Sequence, residues 1–283
     1  MNTASTLQEF LQLRTHLADP VGFVPTMGFL HEGHLSLVRR ARQECASIVT
    51  SVFVNPTQFA PTEDLEDYPR DLARDMALLE EGGTDLVLAP PVELLYPQGY
   101  DTWVTVERLT EPLEGASRPT HFRGVATIVS KLFNLVRPHR AYFGQKDAQQ
   151  ALVIRRLIHD LNYGIELVVC PTVREPDGLA MSSRNTYLSP KERSAAPLSY
   201  RSLQLAEHLY TAGERSAETI RTEMMTLLGT EALLEPVYVS IADIESLAEL
   251  ERIDRPALVS LAVRIGKTRL IDNVMLPPQY EIH

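Results

Sequence analysis

The sequence predicts an α/β protein in which a Rossmann-like parallel sheet with helices on both faces is followed by a smaller α+β C-terminal domain. Up to about residue 170, short apolar runs alternate with amphipathic runs, and this alternation is typical of βαβ units in a parallel sheet. After Arg184, helical runs come first and strand-like runs follow. We therefore predict one domain over residues 1–174 and a second over 175–283, with a hinge at Cys170-Pro-Thr-Val-Arg174.

The spacing of apolar residues places the elements of the first domain. In residues 125–135, for example, Val125, Ile128 and Leu132 share one helical face. Ligands of open parallel sheets bind beyond the carboxyl ends of the strands, so the segments that follow the strands are the candidates for a site. Strands are predicted over residues 21–24, 47–54, 85–88, 103–106, 141–143 and 165–169, and helices over 35–45, 71–81, 125–135 and 148–161.

The second domain is predicted from the same patterns. We expect helices over 191–212 and 217–228, and strands over 237–242, 257–265 and 270–276. Glu175-Pro-Asp-Gly178 has the composition of a turn. Gly266-Lys-Thr268 resembles the end of a nucleotide P-loop, but Leu261 stands where this motif needs an earlier glycine, so we reject a P-loop here.

Composition and charge narrow the classes of function. The chain has 27 Lys and Arg against 37 Asp and Glu, a net charge of −10, which argues against nucleic-acid or anionic-membrane partners. Cys45 and Cys170 lie in apolar runs and are expected to be buried, reduced thiols. The N-terminus lacks a signal-peptide pattern, and no apolar run has the length of a membrane span. We expect a cytoplasmic protein.

The segment Pro25-Thr-Met-Gly-Phe-Leu-His31-Glu-Gly-His34 follows a predicted strand and precedes a predicted helix. The first turn of a helix presents unpaired N–H groups and the positive end of its dipole, so it favours phosphate. His31 and His34 share one face there and are suited to donate hydrogen bonds to phosphate oxygens, and Gly28 and Gly33 allow close backbone approach. A metal site is disfavoured because zinc proteases space two histidines four apart. A solvated or capping pair is the structural alternative.

Two amides follow the next strand. Asn55 and Gln58 occur in Val54-Asn-Pro-Thr-Gln-Phe59, where the strand ends at a proline. Their side chains are suited to orient a small hydroxylated substrate. The alternative is ordinary turn chemistry, which Asn-Pro alone would favour.

Charged and hydroxyl side chains follow two later strands. In residues 143–150, Lys146 is suited to bind phosphate, and Asp147 to bind a ribose hydroxyl or to cap the helix, or both. Gln150 lies one turn further on. In residues 180–185, two serines and an arginine suit a phosphate clamp, and a polar surface loop is the alternative. These residues are Ser182, Ser183 and Arg184.

Taken in order, these segments resemble the pantothenate synthetase (pantoate–β-alanine ligase) family, within the nucleotidylyltransferase and class I aminoacyl-tRNA synthetase superfamily. His31-Glu-Gly-His34 matches the His-x-Gly-His signature, and Met181-Ser-Ser-Arg184 corresponds to the flexible Lys-Met-Ser-Lys-Ser loop of the synthetases. Tyr68-Pro-Arg70 and His121-Phe-Arg-Gly-Val125 are also typical of the family. The resemblance is strongest from Pro25 to Leu188.

The resemblance implies an acid–amino-acid ligase of pantothenate and coenzyme A biosynthesis. ATP and (R)-pantoate would form pantoyl adenylate and pyrophosphate, and the amine of β-alanine would then displace AMP to give pantothenate. It also implies Mg²⁺ bound with ATP, no protein metal site, no tightly bound cofactor, and a homodimer. The first domain would bind ATP and pantoate, and the second would act as a lid.

The resemblance further assigns roles to individual residues. The catalytic residues would be His34, usually assigned as a proton donor, with His31, Lys146 and Arg184. Pantoate and β-alanine would be bound by Gln58, Gln150 and Asn55. The ATP-binding set would be Met27, Gly28, His31, Gly33, His34, Gly144, Lys146, Asp147, Val173, Met181, Ser182, Ser183 and Arg184.

Two other functions are compatible with the same motifs. A related adenylyl- or cytidylyltransferase would transfer the nucleotide to a phosphate, but a phosphate acceptor calls for additional cations where this chain has the neutral amides of Gln58 and Gln150. A catalytically silent scaffold would have no chemical need for the full set of polar residues.

Overall fold

The computed structural model describes residues 1–60 and 63–282. The chain divides into two compact units. The first comprises residues 1–144 and 149–170, and the second comprises residues 145–148 and 171–282. The second unit thus includes a short segment, Gln145–Ala148, that lies far earlier in the sequence than the rest of it.

The first unit contains a six-stranded sheet in which every neighbouring pair is parallel. The order of the strands is β1-β4-β3-β2-β5-β6, so the direction of chain progression reverses between β2 and β5, where open α/β sheets bind their ligands. The strands are β1 (Asn2–Ala4), β2 (Val21–Thr26), β3 (Ser47–Val52), β4 (Leu86–Leu88), β5 (Arg140–Gly144) and β6 (Glu166–Cys170).

The strands of this sheet lie in the interior. Val21, Phe23 and Val24 of β2 are fully buried, as expected for a parallel strand covered on both faces. Phe23 meets Phe133, which lies on the helix His121–Val136, edge to face, with ring centroids 6.3 Å apart. The helices are α1 (Leu7–Arg14), α2 (Glu32–Glu44), α3 (Leu72–Glu81), α4 (Val92–Leu95), α5 (Glu114–Ser117), α6 (His121–Val136) and α7 (Ala148–Asp160).

The second unit is α+β. Its sheet has three antiparallel strands in chain order, and the second and third form a hairpin whose loop is Gly266-Lys267, with a φ of 58° at Gly266. This tight turn differs from the strand–loop–helix of a P-loop. The elements are α8 (Pro190–Ala195), α9 (Leu198–Thr211), α10 (Ala217–Leu228), β7 (Leu234–Asp243), β8 (Ala257–Ile265) and β9 (Thr268–Leu276). The predicted fold class is confirmed.

The predicted strand over residues 103–106 is wrong. The alternating sequence Trp-Val-Thr-Val resembles a strand, but the backbone N–H of Val104 donates to the Oγ1 of Thr127 on α6 at 3.0 Å rather than to a neighbouring strand. Trp103 instead stacks on Tyr96, with ring centroids 6.3 Å apart. Alternation alone therefore did not indicate a strand: among the described residues, residues 103–106 pair with no strand of either sheet.

Several boundaries also differ from the predictions. The helix predicted over 191–212 is two helices, since Pro197 has no N–H with which to continue α8. β1 and α1 were not predicted; β1 is polar in sequence, and α1 buries one residue, Phe10. The turn at residues 175–178 is confirmed by a hydrogen bond from the N–H of Gly178 to the carbonyl of Glu175 at 2.8 Å.

None of the described helices is both long and apolar enough to cross a membrane.

Candidate active site

A histidine capping box closes the start of α2. His31 is the N-cap residue, and its Nδ1 accepts a hydrogen bond from the backbone N–H of Gly33 at 3.1 Å. The Nδ1 of His34 accepts from the backbone N–H of His31 at 3.3 Å, and the two ring centroids lie 4.1 Å apart. The structural alternative of a capping pair is therefore confirmed, because both rings accept hydrogen bonds from N–H groups that a helix start leaves unpaired.

Capping also defines the tautomer of both rings. A ring nitrogen that accepts a hydrogen bond carries no proton, so in the neutral rings of His31 and His34 the proton lies on Nε2. Both residues are half-buried at the positive end of the α2 dipole. Capping and phosphate binding are thus compatible, because they use opposite nitrogens of each ring.

A buried carboxylate holds the loop that leads into the capping box. Asp75 on α3 is 1% exposed, and it accepts hydrogen bonds at 2.7 Å from the backbone N–H groups of both Phe29 and Leu30. Gly28 and Phe29 have φ values of 83° and 49°, and the left-handed region is unfavourable for phenylalanine. Arg74 adds a hydrogen bond from Nη1 to the carbonyl of Leu30 at 3.0 Å. The sequence analysis missed Asp75, although it lies four residues before buried Leu79 on the same helix face.

The amides after β3 form a second buried cluster. Asn55 and Gln58 are 1% and 8% exposed. The Nδ2 of Asn55 donates to the Oε1 of Gln58 and to the carbonyl of Gly124, both at 3.1 Å, and the Nε2 of Gln58 lies 2.8 Å from the Sδ of Met27. The ends of β2 and β3 are therefore in contact through Met27 and Gln58. Asn55 orients the Gln58 amide.

A charged network holds the backbone of Gln58. The Nδ1–H of His121 donates to the Gln58 carbonyl at 2.9 Å, and Arg118 donates to the same carbonyl at 3.3 Å. Arg118 also forms a bidentate ion pair with Glu63, at 2.6 and 2.7 Å. Burial, reinforced by the Arg118 charge, lowers the pKa of His121 to about 4, so the ring is neutral at pH 7. Gly124 allows α6 to approach this turn, since a Cβ there would lie 2.5 Å from the carbonyl oxygen of Thr57.

Two neighbouring glutamines on α7 have different environments. Gln149 is buried; its Oε1 accepts from the N–H of Glu114 at 3.0 Å, and its Nε2 donates to the carbonyls of Leu109 and Pro112 at 2.9 and 2.8 Å. These contacts satisfy its amide. Gln150 is only partly buried. The structure thus distinguishes a structural glutamine from the one that the resemblance assigns to pantoate.

The predicted residues at the end of β5 divide between the two units. Gly144 lies in the first unit, and a Cβ there would meet no other atom within 4 Å in the part of the chain that the structure describes. Lys146 and Asp147 lie in the second unit, in the 3₁₀ turn Gln145–Asp147, with the Nζ of Lys146 3.6 Å from the Oδ1 of Asp147. Both side chains are partly exposed.

The serine loop of the second unit is tied to Val173. The backbone N–H of Met181 donates to the carbonyl of Val173 at 3.0 Å. Ser182 caps a short 3₁₀ turn, its Oγ accepting from the N–H of Arg184 at 3.3 Å, while Ser183 is buried. The second unit therefore holds seven of the predicted ATP-binding residues, which are Lys146, Asp147, Val173, Met181, Ser182, Ser183 and Arg184.

Within residues 1–60 and 63–282, no group of three or more His, Cys, Asp or Glu side chains is placed to hold a metal ion. Cys45 and Cys170 are buried free thiols, as predicted. Burial raises the pKa of Cys170 to about 11, which keeps its thiol protonated at neutral pH.

The parallel sheet, the start of α2 after β2 and the buried amides after β3 define a Rossmann-like α/β protein with polar side chains beyond the carboxyl ends of its strands. A family model described as pantoate-beta-alanine ligase matches residues 1–275. A curated relative from Roseiflexus castenholzii, named pantothenate synthetase, is 59% identical over 276 residues, which are 98% of this chain and 99% of the relative. The chain belongs to the pantoate–β-alanine ligase family, which confirms the resemblance.

Solved structures agree with this assignment. Pantothenate synthetase from Thermus thermophilus matches with a TM-score of 0.93 at 51% identity, covering 97% of this chain and 99% of that one. Pantoate-beta-alanine ligase from Francisella tularensis, solved as a complex with beta-gamma ATP and beta-alanine, matches with a TM-score of 0.81 at 32% identity, covering 97% of each chain. The chain is thus a ligase that joins pantoate to β-alanine.

Proposed function

We propose that the chain forms pantothenate in two steps, through a pantoyl adenylate. A carboxylate oxygen of (R)-pantoate attacks the α-phosphorus of ATP, and the bond to pyrophosphate breaks. The amine of β-alanine then attacks the acyl carbon, AMP departs with the bond electrons, and the nitrogen loses a proton. The observation that carries this proposal is the capping box of α2, which commits each Nδ1 to the backbone and gives each neutral ring an Nε2–H donor.

We assign the phosphates of ATP to the start of α2. His31 and His34 donate from Nε2 to phosphate oxygens, with His34 stabilising the departing pyrophosphate. Met27, Gly28 and Gly33 lie next to the same phosphates at the start of α2. Donors that the fold has already oriented stabilise the charge that develops in the transition state without reorganisation, and this stabilisation commonly contributes more to catalysis than any other single effect.

We assign the remaining nucleotide contacts to Gly144 and to the second unit. Lys146 binds phosphate as a point charge, Asp147 accepts from ribose, and Val173 meets adenine through its backbone. Met181, Ser182, Ser183 and Arg184 complete the phosphate contacts. The complex of the Francisella relative with beta-gamma ATP and beta-alanine supports this nucleotide. The absence of a packing constraint at Gly144 supports a functional reason for its lack of a side chain.

We assign pantoate to Gln58 and Gln150, with β-alanine next to Gln58 and with Asn55 orienting it. Neutral amides suit a hydroxy acid because they donate to its carboxylate and accept from its hydroxyls. The contact between Gln58 and Met27 supports a pantoate position next to the phosphates at the start of α2. A phosphate-accepting nucleotidylyltransferase would need cations at this position.

We further propose Mg²⁺ bound to the ATP phosphates rather than to a protein cage, no tightly bound cofactor, a cytoplasmic homodimer, and a catalytic domain over residues 1–174 with a lid over 175–283. Mg²⁺ keeps several water ligands and usually binds through substrate phosphates. These proposals come from the family resemblance and the composition.

Pyrophosphate exchange tests this function. Labelled pyrophosphate should enter ATP when pantoate is present and β-alanine is absent, because only the first step is then possible. His34→Ala and Lys146→Ala should each lower the exchange rate by about 10²-fold or more, the scale of losing a transition-state donor. His159→Ala is the matched control, since its side chain is 80% exposed on α7. Exchange without any carboxylate substrate, or wild-type rates in both variants, would defeat the proposal.

A further inference from the structure

Asn273 on β9 contacts the segment that carries Lys146. Its Nδ2 donates to the backbone carbonyls of Gln145 and Lys146, both at 2.9 Å. Its Oδ1 lies 3.5 Å from the Nε2 of Gln145. Asn273 is 3% exposed, so these bonds form away from water. Both protons of its amide are therefore committed to two successive carbonyls of the 3₁₀ turn.

The geometry of this pair of bonds has a specific consequence for Lys146. The carbonyl of Gln145 belongs to the peptide group before the Lys146 Cα, and the carbonyl of Lys146 belongs to the peptide group after it. Two rigid peptide planes on either side of one Cα determine its φ and ψ, and hence the direction of its Cα–Cβ bond. One side chain thus sets the direction in which Lys146 leaves the backbone.

We propose that Asn273 is a positioning residue of the nucleotide site, acting through Lys146. The inference rests on the proposed role of Lys146 in binding phosphate. β9 supplies none of the predicted contacts. Through Asn273, this strand would nevertheless control the orientation of a phosphate-binding cation. A defined Cα–Cβ direction matters most for a lysine, because the ammonium group lies at the end of a flexible four-carbon chain with several freely rotating bonds.

Ser260 provides a matched control. It lies directly opposite Asn273 in the β8–β9 ladder, so the two side chains share a face of the sheet. It is also buried, and its Oγ has no hydrogen-bond partner in the part of the chain that the structure describes. Ser260→Ala therefore changes a buried polar residue on the same face of the hairpin without altering a bond to residues 145–146.

The test is a double-mutant cycle on the full chain, read by pantoate-dependent pyrophosphate exchange below the thermal transition of every variant. Asn273→Ala should lower kcat/KM for ATP by about 10- to 100-fold, the scale of a small misplacement of a catalytic group. The KM for pantoate should change by less than about twofold, and Ser260→Ala should match the wild type. In a Lys146→Ala background, Asn273→Ala should add less than about twofold, because the group it positions is gone.

The outcomes separate failure of this inference from failure of the proposed function. If Lys146→Ala impairs exchange while Asn273→Ala does not, the inference alone is wrong. The same holds if Asn273→Ala keeps its full effect without Lys146, or raises both KM values equally, as a merely structural role would. If Lys146→Ala exchanges at the wild-type rate, the proposed role of Lys146 and this inference both fall. Asn273→Ser replaces the alanine variant if that variant does not fold.

Discussion

Asp75→Asn should weaken both the fold and the adenylation step, because one carboxylate holds the loop before the histidine pair. Its two oxygens each accept a backbone N–H, from Phe29 and Leu30, at 2.7 Å. An asparagine keeps one acceptor and turns the other position into a donor that faces an N–H. Hydrogen bonds to charged groups contribute about 1.5–3 kcal/mol each, and a buried unsatisfied donor costs about 1–3 kcal/mol.

We therefore expect Asp75→Asn to lower the free energy of unfolding by about 2.5–6 kcal/mol, the sum of these two ranges. The loop also holds Phe29 at a φ of 49°, and this strained conformation persists only while its surroundings enforce it. Release of the loop displaces His31, so pyrophosphate exchange should fall by about 10- to 100-fold, as expected for a misplaced catalytic group.

Urea unfolding and pyrophosphate exchange measure the two effects, with Asp71→Ala as the control. Asp71 is the N-cap of the same helix, where its side chain accepts from the N–H of Arg74 at 3.1 Å. Its loss should cost about 1 kcal/mol of stability and leave exchange within about twofold of wild type. Asp75→Asn with wild-type exchange, or a loss of exchange that Asp71→Ala reproduces, would refute the role of this carboxylate in holding the loop.

Three further predictions concern other buried groups. The pKa of His121 is 6.5 in the unfolded chain and about 4 in the folded one, so its contribution to the free energy of unfolding is complete above pH 6.5 and is lost towards pH 4. The free energy of unfolding should therefore be about 2 kcal/mol lower at pH 5 than at pH 7.5, and His121→Asn should lack this difference. Gln150→Ala should raise the KM for pantoate with little change in melting temperature, whereas Gln149→Ala should lower the melting temperature; the reverse would contradict the assignment. Asp272→Ala removes the buried carboxylate that accepts from the partly buried Arg174 at 2.6 and 3.0 Å, and it should cost about 3–5 kcal/mol in urea unfolding; a loss below about 1 kcal/mol would contradict this.

The sequence predicted what depends on local pattern. The parallel sheet was predicted from the apolar runs of β2 and β3 and from the amphipathic run of α6. Elements that are buried on one or both faces carry apolar residues at a regular spacing, which is visible in the sequence. The position of His31 and His34 at a helix start followed from the same reasoning. The strand expected over residues 103–106 shows the limit of such patterns, since an alternating segment becomes a strand only beside a partner.

Contacts between distant residues were beyond prediction from one sequence. Asp75 lies 45 residues from Leu30, and Asn273 lies 127 residues from Lys146. Neither pairing leaves a local pattern, because a carboxylate that accepts from a loop and one that faces water look the same in a sequence. Gln149 and Gln150 illustrate the point at single-residue scale, since only the fold shows which amide is already satisfied.

The central claim is that the pantoate carboxylate attacks the α-phosphorus of ATP, and isotope transfer tests it most directly. Pantoate labelled with ¹⁸O in its carboxylate is converted with unlabelled ATP and β-alanine, and the products are analysed by mass spectrometry. An adenylate intermediate predicts one ¹⁸O atom in AMP for each pantothenate formed and none in pyrophosphate. Label in inorganic phosphate, or AMP without label, would contradict the account.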